Sequence, residues 1–202
     1  MATESTAAAR AAGVSVRAIL ALFTVALAAF ACDQITKYFV VENLTLGEPV
    51  PVLGNVLDFV FVKNPGAAFS LASGATWIFS IAASVVTVLI IVIARRIRSL
   101  SWAILFGMLL GGTLGNLTDR LLREPSFGLG HVIDFIRVAG FPAVFNIADS
   151  FIVASMGLFI ILTIRGVGLD GQREQRPATT SSDAASSGHA APADSTPDAT
   201  ER

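Results

Sequence analysis

Two aspartates near the end of the apolar part of this sequence have the surroundings of a paired-carboxylate site. Asp134 lies in the stretch GHVIDFI and Asp149 in FNIAD, with Gly140 and Pro142 available to turn the chain between them. In partly dehydrated surroundings two adjacent carboxylates cannot both be ionised cheaply, so the pair shares a proton. One member can then accept a proton from water while the other polarises a carbonyl group, as acid-assisted peptide hydrolysis requires. Two structural roles remain open from the residues alone: Asp134 as a loop cap and Asp149 as a buried hydrogen-bond hub.

Polar residues inside three of the apolar runs lie at a matched depth. A helix rises about 1.5 Å per residue, so Asp33 and Asp149 lie roughly 24 Å from their flanking arginines, and Asn116 lies roughly 27 Å from its own. Polar and charged groups inside a membrane span are costly and indicate function by default. Asn146, three residues before Asp149, shares a helix face with it. We therefore predict one polar layer near one face of the membrane.

Spacing within this layer predicts specific contacts. Asp33 and Lys37 are four residues apart with the acid first, the favourable order for an ion pair on a helix. Asn116 and Arg120 have the same spacing. The alternative for Asp33 and Lys37 is a purely structural pair, or a lysine that reaches to the membrane interface.

The same part of the third apolar run has two further features. The stretch GGTLG at residues 111–115 gives this helix a thin face that a neighbouring helix can approach closely. Asp119 follows in GNLTDR, and we interpret it as the partner of Arg120 or Arg123 in a salt bridge at the membrane rim rather than as a catalytic group.

The composition indicates an integral membrane protein. The chain has 202 residues, of which 53% are hydrophobic and 14% charged, and its mean hydropathy is +0.70. This is more apolar than an ordinary soluble domain. The net charge of −1 gives no basic character suited to nucleic acid. One cysteine and two histidines are too few for an intrachain disulfide or a metal cluster. We expect no nucleic-acid partner, no metal and no other cofactor.

Four apolar runs are long enough to cross a membrane, at residues 18–41, 75–94, 100–122 and 143–164. Each has about the 20 residues that span the hydrocarbon core. Short basic flanks mark one side of the membrane: Arg10, Arg17, Arg95, Arg96, Arg98 and Arg165. Because such flanks remain in the cytoplasm, both termini are predicted to be cytoplasmic. The fold class is therefore an α-helical polytopic membrane protein with four transmembrane helices.

The segments outside the spans define the rest of the organisation. Residues 56–62, VLDFVFV, are rich in strand formers and bounded by turn residues, so we predict a small extracytoplasmic β element between helices 1 and 2. The chain then divides into an N-terminal cytoplasmic extension at 1–16, a four-helix membrane domain at 17–165 and a cytoplasmic tail at 166–202. The tail is rich in Ala, Ser, Thr and Pro and is predicted to be disordered.

An alternative for the N-terminal region is a lipoprotein signal peptide that ends at Cys32, because basic residues and an apolar run precede this cysteine. Phe30 fits poorly before such a cysteine, and three further spans follow instead of a secreted domain. We therefore interpret Cys32 as a small packing residue.

Five stretches together resemble the lipoprotein signal peptidase (signal peptidase II) family of bacterial membrane aspartyl proteases. They are DQITK at 33–37, KNPGAAFS at 63–70, GGTLGNLTDR at 111–120, VIDFI at 132–136 and FNIAD at 145–149. They occur in order within residues 18–165. The resemblance implies cleavage of one peptide bond, just before a diacylglyceryl-modified cysteine of a prolipoprotein, at the outer face of the bacterial cytoplasmic membrane.

The resemblance also implies roles for particular residues. Asp134 and Asp149 correspond to the catalytic dyad. Substrate binding or support of the site falls to Asp33, Lys37, Asn64, Gly66, Asn116, Arg120 and Asn146. The segment at 64–69 is expected at the lip of the β element, where a backbone amide or the Asn64 side chain holds the substrate. The implied partners are prolipoproteins and membrane lipids, and we expect a monomer.

A proton- or ion-coupled carrier is the main alternative class, because acids inside spans also build proton relays. A carrier predicts polar residues along the full depth of the spans. The cytoplasmic halves of all four runs are nearly free of them, which favours the peptidase. A purely structural membrane subunit does not explain acids at matched depth.

Overall fold

The computed structural model describes residues 15–66 and 76–173, and these residues form a helical bundle with a small sheet at one end. The helices are α1 (Val16–Asn43), α2 (Thr76–Ala94), α3 (Leu100–Leu122) and α4 (Ile147–Ile164). All four are long and apolar enough to cross a membrane. This confirms the predicted fold class, and the predicted spans differ from the helices by a few residues at their ends.

Helix α3 is the central helix and packs against each of the other three. Its glycines make this possible, as the GGTLG stretch predicted. A Cβ on Gly111 would lie 2.7 Å from the Ala29 Cβ of α1, and a Cβ on Gly112 would lie 2.6 Å from the Ala148 carbonyl oxygen of α4. Backbones at such close approach leave room for glycine alone.

The sheet has four antiparallel strands in the order β1 (Pro49–Leu53), β2 (Leu57–Asn64), β3 (Val132–Val138) and β4 (Val144–Phe145). Strands β1 and β2 form the predicted element between the first two helices. Strands β3 and β4 come from the connection between α3 and α4, for which the sequence predicts no strand. Val62 of β2 pairs with Asp134 of β3. Asp134 therefore lies on a strand that is held in the sheet by its pairing with β2.

Two further differences concern single features. The fourth span was predicted from residue 143, but α4 begins at Ile147, because residues 144–145 pair with β3 and Asn146 caps the helix. Cys32, predicted to pack, is instead exposed on the outer side of α1.

The chain after α4 continues as a folded segment up to residue 173. The Val167 carbonyl accepts a hydrogen bond from Trp102 Nε1 over 2.9 Å. The Leu169 carbonyl accepts from the backbone amides of Arg98 at 2.9 Å and Ser99 at 3.0 Å. The start of the predicted tail is thus docked against the connection between α2 and α3, and the tail from residue 174 lies outside the described residues.

Candidate active site

Asp134 is held at the end of the bundle by two side-chain amides. Its Oδ2 accepts a hydrogen bond from Asn64 Nδ2 at 2.7 Å, and its Oδ1 accepts one from Asn146 Nδ2 at 2.6 Å. The pairing of β3 with β2 brings Asn64 to this position. Asp134 is 2% exposed, so both carboxyl oxygens are oriented by protein donors rather than by bulk water.

Asp149 is fixed by the first turn of α4. Asn146 is the N-cap, and its side chain accepts a hydrogen bond from the Asp149 backbone amide at 2.9 Å. In return, Asp149 Oδ2 accepts from the Asn146 backbone amide at 3.2 Å. This reciprocal capping box satisfies two helix-end donors. It also links the two acids, because the same Asn146 side chain bonds to Asp134.

Asn116 of α3 connects the dyad to the interior of the bundle. Its Nδ2 donates to Asp149 Oδ1 at 2.8 Å. Its Oδ1 accepts from Lys37 Nζ at 2.9 Å and from Asn146 Nδ2 at 3.0 Å. Three helices thus contribute to one network of hydrogen bonds.

Lys37 lies at the centre of a buried charge cluster. Its Nζ is 2.8 Å from Asp33 Oδ2 and 2.8 Å from Asp119 Oδ2, and all three side chains are fully buried. Asp119 Oδ1 also pairs with Arg123 Nε at 2.6 Å. The cluster contains two acids and two bases, so its formal charge is balanced, as buried ions require.

The acids of this cluster also hold the backbone next to the dyad. Asp33 Oδ1 accepts from the Ala148 amide at 2.9 Å, and Asp119 Oδ2 accepts from the Ile133 amide at 3.2 Å. Ala148 precedes Asp149, and Ile133 precedes Asp134. Each candidate catalytic acid therefore follows a residue whose amide is fixed by a buried carboxylate.

Arg120 and Gly66 lie beside the dyad on the other side. The Arg120 guanidinium is 5.2 Å from the centre of the Phe79 ring, and its Nη1 is buried without a hydrogen-bond partner among the described residues. Gly66 has φ of 95°, which favours glycine, and its amide donates to Asn64 Oδ1 at 2.8 Å. A Cβ on Gly66 would lie 2.7 Å from Phe79 Cδ2.

Two cavities open onto these groups. One, of about 340 Å³, is lined by both acids together with Asn116 and Arg120. The other, of about 470 Å³, is lined by Asp134, Arg120, Asn64 and Gly66. These volumes fall within or near the range of ordinary ligand pockets. The smaller cavity thus gives access to the residues of both acids and to Arg120.

Burial dominates the electrostatics of Asp134. The pKa of Asp134 is raised from 3.8 to about 7: desolvation by burial is the largest cause and the negative charge of Asp149 adds to it, while hydrogen bonds from Asn64 and Asn146 lower it. Asp134 is therefore protonated in a large share of molecules at neutral pH.

The structure brings together all nine predicted site residues: Asp33, Lys37, Asn64, Gly66, Asn116, Arg120, Asp134, Asn146 and Asp149. The predicted ion pair of Asp33 and Lys37 is confirmed, as is that of Asp119 with Arg123. Residues 67–69 of the predicted lip lie outside the described residues.

The sequence did not predict the contacts that two further residues, Asp119 and Gln34, make with the site. Asp119 bonds to Lys37 and to β3, so it belongs to the support of the site and not only to the membrane rim. Gln34 donates from Nε2 to Asp33 Oδ2 and to the Gly115 carbonyl, each at 3.1 Å. The only sequence signal for either was its position inside a matched stretch.

The fold and the site define a polytopic membrane protein with two linked carboxyl groups at one end of its helical bundle. Residues 25–165 match the model of the family described as signal peptidase (SPase) II. The match covers well over half of the chain, so the chain belongs to the signal peptidase II family of proteases.

Individual relatives agree with this assignment. The lipoprotein signal peptidase of Leifsonia xyli subsp. xyli is 56% identical over 89% of this chain and 83% of its own length. That of Streptomyces griseus subsp. griseus is 47% identical over 79% of this chain and 81% of its own. A bacterial membrane enzyme solved by the in meso method at 2.3 Å resolution matches with a TM-score of 0.66 and 26% identity, over 81% of this chain and 98% of that one.

Proposed function

We propose that this chain is a membrane aspartyl endopeptidase that removes signal peptides from diacylglyceryl-modified prolipoproteins, with Asp134 and Asp149 as its catalytic dyad. The observation that carries the proposal is the Asn146 side chain. It bonds to Asp134 Oδ1 at 2.6 Å and to the Asp149 backbone amide at 2.9 Å. One residue thus positions both acids toward one cavity.

The proposed reaction divides the roles between the two acids. Asp149 accepts a proton from a water molecule held between the carboxyl groups, and the oxygen of this water attacks the carbonyl carbon of the scissile bond. Asp134 donates its proton to the carbonyl oxygen and so neutralises the charge that develops there. Asp149 then passes its proton to the leaving nitrogen, the C–N bond breaks, and Asp134 recovers a proton from the diol.

The neighbouring amides and Arg120 supply orientation and charge. Asn64, Asn116 and Asn146 donate to the carboxyl oxygens and fix their directions. Arg120 lines both cavities beside the dyad, and its guanidinium group supplies positive charge next to the bound peptide. Preorganised donors of this kind supply a large part of catalysis in water-excluded sites.

The substrate class follows from the family and from the position of the site. The curated relatives are named lipoprotein signal peptidases. The dyad lies where α4 meets the sheet, at the end of the bundle that is remote from Arg17, Arg96 and Arg165. With the basic end in the cytoplasm, both termini are cytoplasmic and the dyad is near the outer face, where the scissile bond of a lipid-anchored precursor is located.

The test is cleavage of a diacylglyceryl-modified prolipoprotein by the purified full-length chain in detergent. Mass spectrometry identifies the bond that is cut. Asp134→Asn is expected to abolish cleavage before the lipidated cysteine. Asp58→Asn is the matched control, because Asp58 lies in the same sheet but pairs with Arg137 outside the site. Proton uptake into liposomes without peptide cleavage would instead indicate that the protein is a proton-coupled carrier.

A further inference from the structure

A second cleft lies at the end of the bundle opposite to the dyad. It has a volume of about 720 Å³ and lies between the α2–α3 connection and the folded segment after α4. Four of the residues that line it are arginines: Arg95, Arg96, Arg98 and Arg173. Neither the dyad nor its support uses any of these side chains.

The walls of this cleft are held by backbone hydrogen bonds. The Leu169 carbonyl accepts from the amides of Arg98 and Ser99, and the Gly168 amide donates to the Gln172 carbonyl at 2.8 Å. Val167 and Arg173 form an antiparallel bridge. The arginines therefore converge from two chain segments on a defined space, which is more than the preference of arginine for one side of a membrane requires.

The charge of the cleft is not neutralised within the described residues, because none of the four arginines forms a salt bridge there. Asp170, the one acid in the lining, accepts a hydrogen bond from the Gln172 amide at 3.0 Å. Four guanidinium groups against one carboxylate leave the lining with an excess of three positive charges, and guanidinium groups can bind a phosphate oxygen anion with paired N–H donors.

We propose that this cleft binds the phosphate group of an anionic phospholipid. Exposed apolar side chains flank the cleft at the ends of three helices: Val92 is 62% exposed, Leu100 58% and Ile164 80%. These surfaces suit acyl chains, and the arginines suit a charged headgroup at the same level. Basic pockets at helix ends on the cytoplasmic side recognise lipid headgroups in this way. The proposal requires the membrane position of the bundle but not the catalytic roles of Asp134 and Asp149.

The test measures lipid binding by the full-length protein in neutral detergent through the rise in its thermal unfolding midpoint. Short-chain phosphatidylglycerol is expected to raise the unfolding midpoint until the site is saturated. Phosphatidylcholine and water-soluble glycerol phosphate are expected to leave the midpoint unchanged at the same concentrations. The double change Arg96→Gln and Arg173→Gln is expected to weaken the apparent affinity for phosphatidylglycerol about 30-fold. This is the loss expected when two arginines that attract an anionic headgroup are removed. Both residues are exposed, so the fold and the peptidase activity in neutral detergent are retained.

The matched control is Arg17→Gln with Arg165→Gln, which removes the same charge from exposed positions at the same end but outside the cleft. It is expected to leave the affinity within about threefold of the unchanged protein, because neither residue lines the cleft and exposed charges outside a binding site are screened by salt. An equal loss in both double variants would show diffuse attraction and overturn the proposal. Equal binding of glycerol phosphate and phosphatidylglycerol would also overturn it, since the site would then be one for soluble anions.

Discussion

Lys37 on α1 donates a hydrogen bond from Nζ to Asn116 Oδ1 on α3 over 2.9 Å. An ammonium group can only donate, so this bond fixes the orientation of the Asn116 amide. The carbonyl oxygen faces Lys37, and the NH2 group faces Asp149 Oδ1 at 2.8 Å. Through this hydrogen bond Lys37 helps to direct the NH2 group of Asn116 toward Asp149. Lys37 itself contacts neither acid of the proposed dyad.

This relationship predicts that stability and activity separate in variants of Lys37. Lys37→Met leaves Asp33 and Asp119 with one cation fewer, and it is expected to lower the free energy of unfolding by about 3–5 kcal/mol. Adding Asp33→Asn rebalances the charge and is expected to restore part of this stability. Cleavage is expected to stay about 100-fold reduced in the double variant, because Asn116 loses its charged donor and keeps only the weaker bond from Asn146 to hold its carbonyl oxygen. Recovery of both properties would show that Lys37 is only a structural ion.

Two substitutions of Asn146 separate its role as the N-cap of α4 from its hydrogen bond to Asp134. Asn146→Ser keeps a good N-cap oxygen for the Asp149 amide but removes the Nδ2 donor to Asp134 and Asn116. We expect cleavage to fall about 100-fold. Asn146→Ala removes both functions and is expected to lose about 1 kcal/mol more of stability. If the serine variant cleaved normally, the link between the two acids would be dispensable.

Gly115 tests the close packing of α3 behind the site. A Cβ at this position would collide with Asp33 Oδ2, so Gly115→Ala is expected to destabilise the protein by about 1–3 kcal/mol. Gly157→Ala is the matched control in α4, because nothing lies within 4 Å of a Cβ there. The control is expected to be neutral or to gain up to about 1 kcal/mol from helix propensity. Thermal unfolding in detergent measures both, and equal effects would contradict the packing argument.

The pKa of Asp134 predicts a dependence of stability on pH. Burial raises this pKa from 3.8 to about 7, so the folded state binds a proton that the unfolded chain releases at lower pH. The resulting stabilisation is fully present below about pH 4 and is lost as the pH rises through about 7. The loss amounts to about 4 kcal/mol for a shift of this size. Unfolding of Asp134→Asn should lack this part of the decline, whereas Asp58→Asn should retain it; an identical decline in both variants would contradict the raised pKa.

Local sequence patterns were sufficient to predict most of the helical framework, whereas the set of candidate site residues came mainly from the resemblance to a family. An apolar run of about 20 residues crosses a membrane as an α-helix, because a helix satisfies all of its own backbone hydrogen bonds. The spacing of four residues on such a helix was enough to predict the ion pair of Asp33 and Lys37. The partners of Asp134 depend instead on the pairing of β2 with β3, two strands that are far apart in sequence. No local pattern determines such a register, so the sequence predicts no strand around Asp134.

The contacts of Asp119 also show that partners close in sequence can be predicted, whereas partners distant in sequence cannot. Its partner Arg123 lies four residues away on the same helix and was predicted. Its partners Lys37 and Ile133 come from α1 and β3. The close approach of α1 to the glycines of α3 brings Lys37 near, and the return of the chain into β3 brings Ile133 near, so neither contact follows from a local pattern. The folded segment at 166–173 was likewise not predicted, because its order comes from contacts with α3 and the connection before it rather than from its composition.

The central claim is that Asp134 and Asp149 act as one unit, and single-turnover cleavage of a diacylglyceryl-modified prolipoprotein tests it most directly. Groups that work together lose about as much activity when one is removed as when both are. The account predicts that Asp134→Asn, Asp149→Asn and the double variant all reduce the rate by the same large factor, at least about 1,000-fold, while remaining folded. Cleavage near the unchanged rate in either single variant would contradict it.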